Sequence, residues 1–158
     1  MNESELCNAM ERHGSTVYRL ALCRMQNIAD AEDVYQDVFL RLFAQDTGDW
    51  SGERLKAWLI RATLNRCTDF HRFRLRRQVL SWEDLPDAVQ ATDEAAELWE
   101  AVARLPEKLQ IPIHLHYGEG YSTEEIAAML EVPAATVRTR LHRGRTKLKD
   151  LLGGLNDE

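Results

Sequence analysis

The stretch GYSTEEIAAMLEVPAATVRTRLHRGRTKLKDLL, residues 120–152, carries the signals of two helices and the turn between them. Ser122 followed three residues later by Glu125 is a capping box, which predicts a helix beginning at Thr123. Ile126, Ala127 and Leu130 supply its apolar face. Pro133 cannot continue that helix but suits the first turn of another. Two helices joined by so short a turn form a helix-turn-helix unit.

On a helical wheel of about 100° per residue, Val137, Leu141, Gly144, Leu148 and Leu151 fall on one inward stripe. Thr136, Arg138, Thr139, His142, Arg143, Thr146 and Lys149 fall opposite. Residues 136–149 hold six Arg or Lys and no acid, although the whole chain has a formal charge of −6. Cations and short hydroxyl side chains on one helix face suit phosphates and base edges in a DNA major groove. The bland alternative is a basic solvated face. Gly144 in mid-helix would cost about 1 kcal/mol relative to Ala unless another helix approaches closely there.

Outward from this segment, charge alternates in blocks. Residues 1–50 hold nine acids against four arginines, and residues 54–77 hold eight cations against Asp69 alone. Residues 81–103 hold seven acids and no Lys or Arg. Blocks of this kind indicate two basic surfaces separated by an acidic connector, so the overall acidity says little about partners.

At 158 residues and 44% hydrophobic, the chain can build one ordinary domain or two small ones. No run approaches the roughly 18 apolar residues of a membrane span, and MNESELCNAMERHG lacks the order of a secretory signal, so a cytoplasmic protein without membrane insertion is expected. Cys7, Cys23 and Cys67 are odd in number and widely spaced, as expected of free thiols.

The 3.6-residue period recurs throughout without period-two alternation, which predicts an all-α fold. Helices are expected over 4–26, 30–45, 52–74, 94–104, 106–117, 122–130 and 134–152. Two small helical domains, 1–77 and 94–158, are joined by an acidic linker at 78–93 that contains Pro86.

In the helix over 30–45, Ala31, Val34, Tyr35, Val38 and Leu42 make the inward stripe. Asp33, Gln36, Asp37, Leu40 and Phe43 lie on the far side, where apolar anchors ringed by acids suit docking of a basic partner. The alternative is a solvated face with Leu40 and Phe43 covered by a neighbouring helix. On the next helix Leu55, Trp58, Leu59 and Ala62 pack inward, and Arg61, Asn65, Thr68 and Arg72 form a polar row able to follow a phosphate backbone. Trp58 reads as core, whereas Trp50, in a polar loop, is the better stacking platform.

The region 120–152, preceded by LPEKLQIPIHLHY at 105–117, resembles region 4 of bacterial RNA polymerase sigma factors of the extracytoplasmic-function (group IV) class of the sigma-70 family. ADAEDVYQDVFLRLF at 29–43 with RLKAWLIRATLNRCTDFHRFRLRR at 54–77 resembles region 2 of the same family. The resemblance implies that Asp33, Gln36, Asp37, Leu40, Arg41 and Phe43 bind core RNA polymerase, at the clamp helices of its largest catalytic subunit. It implies that Trp50, Lys56, Arg61, Asn65, Arg66, Thr68 and Arg72 hold the unpaired minus 10 strand. It also implies that Ser122, Thr123, Thr136, Arg138, Thr139, Arg140, His142, Arg143, Thr146 and Lys149 read the minus 35 element.

Further partners implied are promoter DNA, the flap of the second-largest subunit and, by analogy, an anti-sigma factor. No counterpart of sigma regions 1 or 3 is expected. The acidic linker would run through the polymerase's nucleic-acid channel, the alternative being a solubilising tether. Departures are small: Glu131 stands where the family's turn often has Gly, and Ala135 where it often has Gly or Ser.

A stand-alone helix-turn-helix regulator would also account for 121–150, but it leaves the far face of 30–45 and the basic 54–77 helix without a task. An enzyme finds no phosphate loop and no nucleophile–base pair, and neither cofactor nor metal site is expected. His114 and His116 are two apart on a helix expected to break at Pro112, and so point away from each other.

Overall fold

A computed structural model describes residues 1–73 and 93–156; these form helices and no strand. Seven α-helices run α1 Glu3–Met25, α2 Ile28–Phe43, α3 Gly52–Phe73, α4 Asp93–Ala103, α5 Glu107–Ile113, α6 Thr123–Leu130 and α7 Ala134–Asn156, with a π-helical turn at His114–Gly118. Two compact units are formed, Met1–Gln90 and Ala91–Glu158. The linker expected at 78–93 lies, apart from Asp93, outside the described residues.

In the first unit each helix start is chemically marked. Asn2 and Glu5 exchange the two hydrogen bonds of a capping box, at 2.8 and 3.0 Å. Gln26 ends α1 in the left-handed conformation at φ 53°, and Asn27 at once caps α2 by accepting from the Asp30 amide at 2.9 Å. Ser51 accepts from the Arg54 amide to open α3. The core joins Val17, Leu20, Leu22 and Met25 of α1 to Ala31, Val34, Val38 and Leu42 of α2 and to Leu59, Ile60 and Leu64 of α3.

Two stripes differ from expectation. On α2 Phe39 is buried while Tyr35 is half-buried, the two rings packing at 4.8 Å. On α3 the buried side is Leu59, Ile60, Thr63, Leu64 and Cys67, whereas Leu55, Trp58 and Ala62 are half-buried. Thr63 can go inside because its hydroxyl donates to the Leu59 carbonyl at 2.7 Å.

In the second unit α7 lays Val137, Leu141, Gly144 and Leu148 against α5 and its neighbours, as the wheel predicts. Buried Gln110 donates through Nε2 to the Val102 and Ala103 carbonyls, both at 3.2 Å, satisfying the end of α4. Pro112 does not break its helix. The chain passes through it and widens into the π turn, where the Glu119 amide donates to the His114 carbonyl five residues back. The two histidines diverge: His114 is fully buried against Trp99, with ring centroids 4.8 Å apart, while His116 Nδ1 lies 2.7 Å from the Tyr121 carbonyl oxygen.

Candidate nucleic-acid and docking surfaces

The capping box forms as the sequence dictates. Ser122 Oγ accepts from the Glu125 amide at 3.1 Å, and Glu125 accepts from the Ser122 amide at 2.8 Å. Glu131 closes α6 in the left-handed conformation at φ 58°, and Pro133 opens the way into α7. Outward from this turn, Arg138, Thr139, His142, Arg143, Thr146 and Lys149 are exposed, whereas Thr136 and Arg140 are half-buried. Arg145 and Lys147, which the wheel did not single out, are exposed as well.

Three hydroxyls on this surface are already engaged. Ser122 caps α6, Thr123 donates to the Glu124 carboxylate at 3.0 Å, and Thr146 donates to the His142 carbonyl at 3.1 Å. The face is also not purely cationic. Arg138 Nη1 stands 4.0 Å from Glu124 Oε2 of α6, both side chains being largely exposed. A hydrogen bond from its own backbone amide holds the Glu124 carboxyl below the usual range, followed by the Thr123 hydroxyl and Arg138. Reading α7 alone concealed this acid, because it comes from the other helix of the pair.

On the first unit, Leu40 is 67% exposed and Phe43 41%, with exposed Asp33, Gln36 and Arg41 around them. No neighbouring helix among the described residues covers them, in contrast to the solvated-and-covered alternative. Asp37 is less available than its companions, since Arg41 approaches it at 3.3 Å and Arg66 of α3 at 2.6 Å. Arg66 also lies 4.5 Å over the Phe70 ring.

Arg66 is therefore turned toward α2 and away from the row expected on α3. Of that row Arg61, Asn65 and Thr68 are exposed, Thr68 donating to the Leu64 carbonyl at 3.0 Å. The Arg72 side chain lies outside what is described, and Lys56 is half-buried. Trp58 is not a core residue. Its ring meets that of Trp50 at 5.9 Å with the planes tilted by 45°, and the Arg54 guanidinium lies 4.7 Å over Trp50, so both indoles and a cation form one cluster at the surface. Arg54 had no sequence signal beyond its charge.

The second unit also holds an apolar groove of about 650 Å³ between α4 and the end of α7, lined by Leu98, Trp99, Val102, Tyr117, Leu148 and Leu152, with Arg145 and Lys149 among its polar members. Arg145 donates to the Tyr117 hydroxyl at 2.9 Å. Leu98 and Tyr117 are 38% and 54% exposed. Apolar positions 98 and 99 beside buried Val102 were the available signal, too wide for one core stripe.

Among the described residues no three His, Cys, Asp or Glu side chains cluster as metal ligands, and no helix is long and apolar enough to cross a membrane.

Two family models match: Sigma-70 region 2 over residues 9–78 and Sigma-70, region 4 over residues 95–148. Over 94% of its length the chain is 36% identical to the ECF RNA polymerase sigma factor SigE of Mycolicibacterium smegmatis, and it spans 62% of that longer relative. It is 32% identical, over 92% of its length and 76% of the relative's, to the ECF RNA polymerase sigma factor SigM of Mycobacterium tuberculosis.

Among solved structures, the sigma factor RpoE bound to the anti-sigma factor NepR from Bartonella quintana shares the fold, with a TM-score of 0.76 over 94% of this chain and 96% of that one at 22% identity. CnrH bound to the cytosolic domain of CnrY follows, with a TM-score of 0.69 over 97% and 90% at 26% identity. The chain is thus a member of the extracytoplasmic-function class of the sigma-70 family, the factors that direct RNA polymerase to promoters.

Proposed function

We propose that the two units divide the work of a sigma factor. The first, extending to about residue 77, docks core RNA polymerase through the outer face of α2 and holds the unpaired minus 10 strand along α3. The second, from about residue 94, reads the minus 35 element with α7. Leu40 at 67% exposure, set among Asp33, Gln36 and Phe43, carries this reading, because a regulator acting without polymerase has no use for that face.

On α3 the strand would run past Arg61, Asn65 and Thr68, with Trp50 and Trp58 together supplying the stacking surface. Exposed Arg54, over the Trp50 ring, adds a cation to that edge. Opening the duplex asks no chemistry of this chain, since favourable contacts to an unstacked base offset an unpairing cost of a few kcal/mol. On α7 Arg138, Thr139, His142, Arg143 and Lys149 would face the groove, with Thr136, Arg140, Thr146, Ser122 and Thr123 at its phosphate margins. The apolar groove lined by Trp99 and Leu148 suits an apolar helix from the flap of the second-largest subunit. An anti-sigma factor would compete for these surfaces in the cytoplasm.

The test is binding of purified core RNA polymerase followed by run-off transcription from a promoter library. Asp37 also holds Arg66, so Leu40→Ala with Phe43→Ala is a cleaner docking probe than any change at Asp37. The wild type should bind core and initiate at a defined promoter subset, and the double variant should lose at least tenfold in affinity. Wild-type protein that shifts duplex DNA by itself and never binds core would overturn the assignment.

A further inference from the structure

Between α1 and α2 lies a cleft of about 530 Å³ to which α1 contributes Met10, Gly14 and Tyr18, and α2 contributes Glu32, Tyr35 and Gln36. Gly14 shapes it. A Cβ there would stand 2.9 Å from the Tyr35 hydroxyl, so glycine lets that ring lie across α1 without a shift. The Tyr18 and Tyr35 rings meet at 6.0 Å and 73°, giving the cleft two aromatic surfaces at an angle.

Two aromatic surfaces and an exposed carboxylate fit the cleft to a cation. The Tyr18 oxygen is shut off from solvent, so it is the ring, not the hydroxyl, that the cleft presents. Glu32 is exposed and pairs with no cation among the described residues. Its charge nevertheless reaches Tyr18, whose phenol is raised first by burial and then by Glu32. Ring faces attract a guanidinium, and a carboxylate accepts its N–H fork. The Met10 side chain offers an apolar surface for the methylene stem.

Gln36 belongs both to this cleft and to the outer face that exposes Leu40. We propose that the cleft receives an arginine side chain of the protein that docks on α2, packed against the Tyr18 and Tyr35 rings and paired with Glu32. The proposal rests on the docking reading above and names the chemistry of the partner's contact beside it.

The experiment measures Kd of the full chain for purified, fluorescently labelled core RNA polymerase at several salt concentrations. It compares the wild type with Glu32→Gln, Glu32→Arg, Tyr35→Leu, Glu11→Gln and the Leu40→Ala, Phe43→Ala double variant, each checked for an unchanged circular-dichroism spectrum. Glu32→Gln should weaken binding about fivefold and flatten its salt dependence, and Glu32→Arg should weaken it more than tenfold. Tyr35→Leu should weaken binding although no charge changes, and Glu11→Gln, an exposed α1 acid outside the cleft, should match the wild type.

If the Leu40 and Phe43 variant loses affinity while the Glu32 and Tyr35 variants bind as the wild type does, the cleft assignment is overturned and the docking face stands. Equal losses from Glu11→Gln and Glu32→Gln would reduce the effect to long-range charge and also overturn it. Wild-type binding by the Leu40 and Phe43 variant removes the docking reading itself, and the cleft proposal with it.

Discussion

Arg66 Nε on α3 lies 2.6 Å from Asp37 Oδ2 on α2, and Arg41 approaches the same oxygen at 3.3 Å. The side chains of Arg66 and Asp37 are 27% and 33% exposed, and neither of the two atoms gains a well-aligned hydrogen bond among the described residues. The contact is thus ionic and partly screened, which places its worth at about 0.5–1 kcal/mol. A double-mutant cycle with Asp37→Asn and Arg66→Gln should return a coupling of that size in thermal or urea unfolding. Strictly additive losses would mean that the pair carries no stability. Because Asp37 is claimed by α3 in the free chain, its variants should perturb strand binding as well as docking.

At Gly144 two effects of opposite sign compete. Alanine would gain about 1 kcal/mol of helix propensity, but its Cβ would stand 2.6 Å from Ile113 Cγ1 and 2.9 Å from Cδ1. Overpacking of a core contact costs about 1–3 kcal/mol, so against the propensity gain Gly144→Ala should lower stability by up to about 2 kcal/mol. Combining it with Ile113→Val, which removes Cδ1, should cost less than the two single changes added. A stabilising Gly144→Ala would refute the close approach.

How far the sequence reached depended on whether one helix or two make the feature. The capping box at Ser122 and Glu125, the stripe from Val137 to Leu148 and the exposure of Leu40 and Phe43 follow from a single helix's periodicity, and each was legible. Features shared between helices were not. Asp37 and Arg66 sit on different elements, and so do Glu124 and Arg138, so no spacing rule announces either contact. Buried Thr63 and half-exposed Trp58 show the other limit: a hydroxyl that bonds its own helix can go inside, and a large ring at the edge of a stripe can stay out. At Pro112 the sequence marks where the hydrogen-bond pattern changes but not whether the helix ends or widens.

The turn of the helix-turn-helix stores a small strain. Glu131 sits at φ 58°, where a side chain is disfavoured by about 1–2 kcal/mol and glycine is not. Glycine gives part of that back through its freer unfolded chain. Glu131→Gly should therefore stabilise the second unit by about 0.5–1 kcal/mol, seen as a rise in melting temperature of a few degrees. A loss of stability would show that the Glu131 side chain makes a contact outweighing the strain.

The three thiols should separate cleanly in reactivity. Cys7 is exposed, whereas Cys23 and Cys67 are buried. Burial pushes the Cys23 thiol from its ordinary 9.0 up to about 12, against the pull of Arg19 and Arg24. Alkylation of the native chain near pH 8 should label Cys7 within minutes and spare Cys23 until the chain unfolds. The sign for stability follows: the folded state holds this proton more tightly. Its advantage is full below the unfolded value near 9.0 and is lost as pH climbs toward about 12. Fast labelling of Cys23 at neutral pH would contradict its burial.

Glu124 bears on how strongly α7 can hold DNA. Binding that neutralises about six phosphates gives a log–log salt slope near −5 for the full chain on duplex minus 35 DNA. Exposed Arg138, Arg143, Lys147 and Lys149 can supply most of those contacts, but Arg138 shares its charge with Glu124 at 4.0 Å. Removing the acid should leave Arg138 wholly for phosphate, so Glu124→Gln should tighten binding several-fold at low salt and steepen the slope by up to about one. Arg138→Ala should do the reverse, and in its background Glu124→Gln should lose most of its effect, because the two changes act through one contact. A wild-type slope near zero would remove α7 from the phosphate backbone altogether. An unchanged slope in Glu124→Gln would show instead that Arg138 already serves the DNA in full.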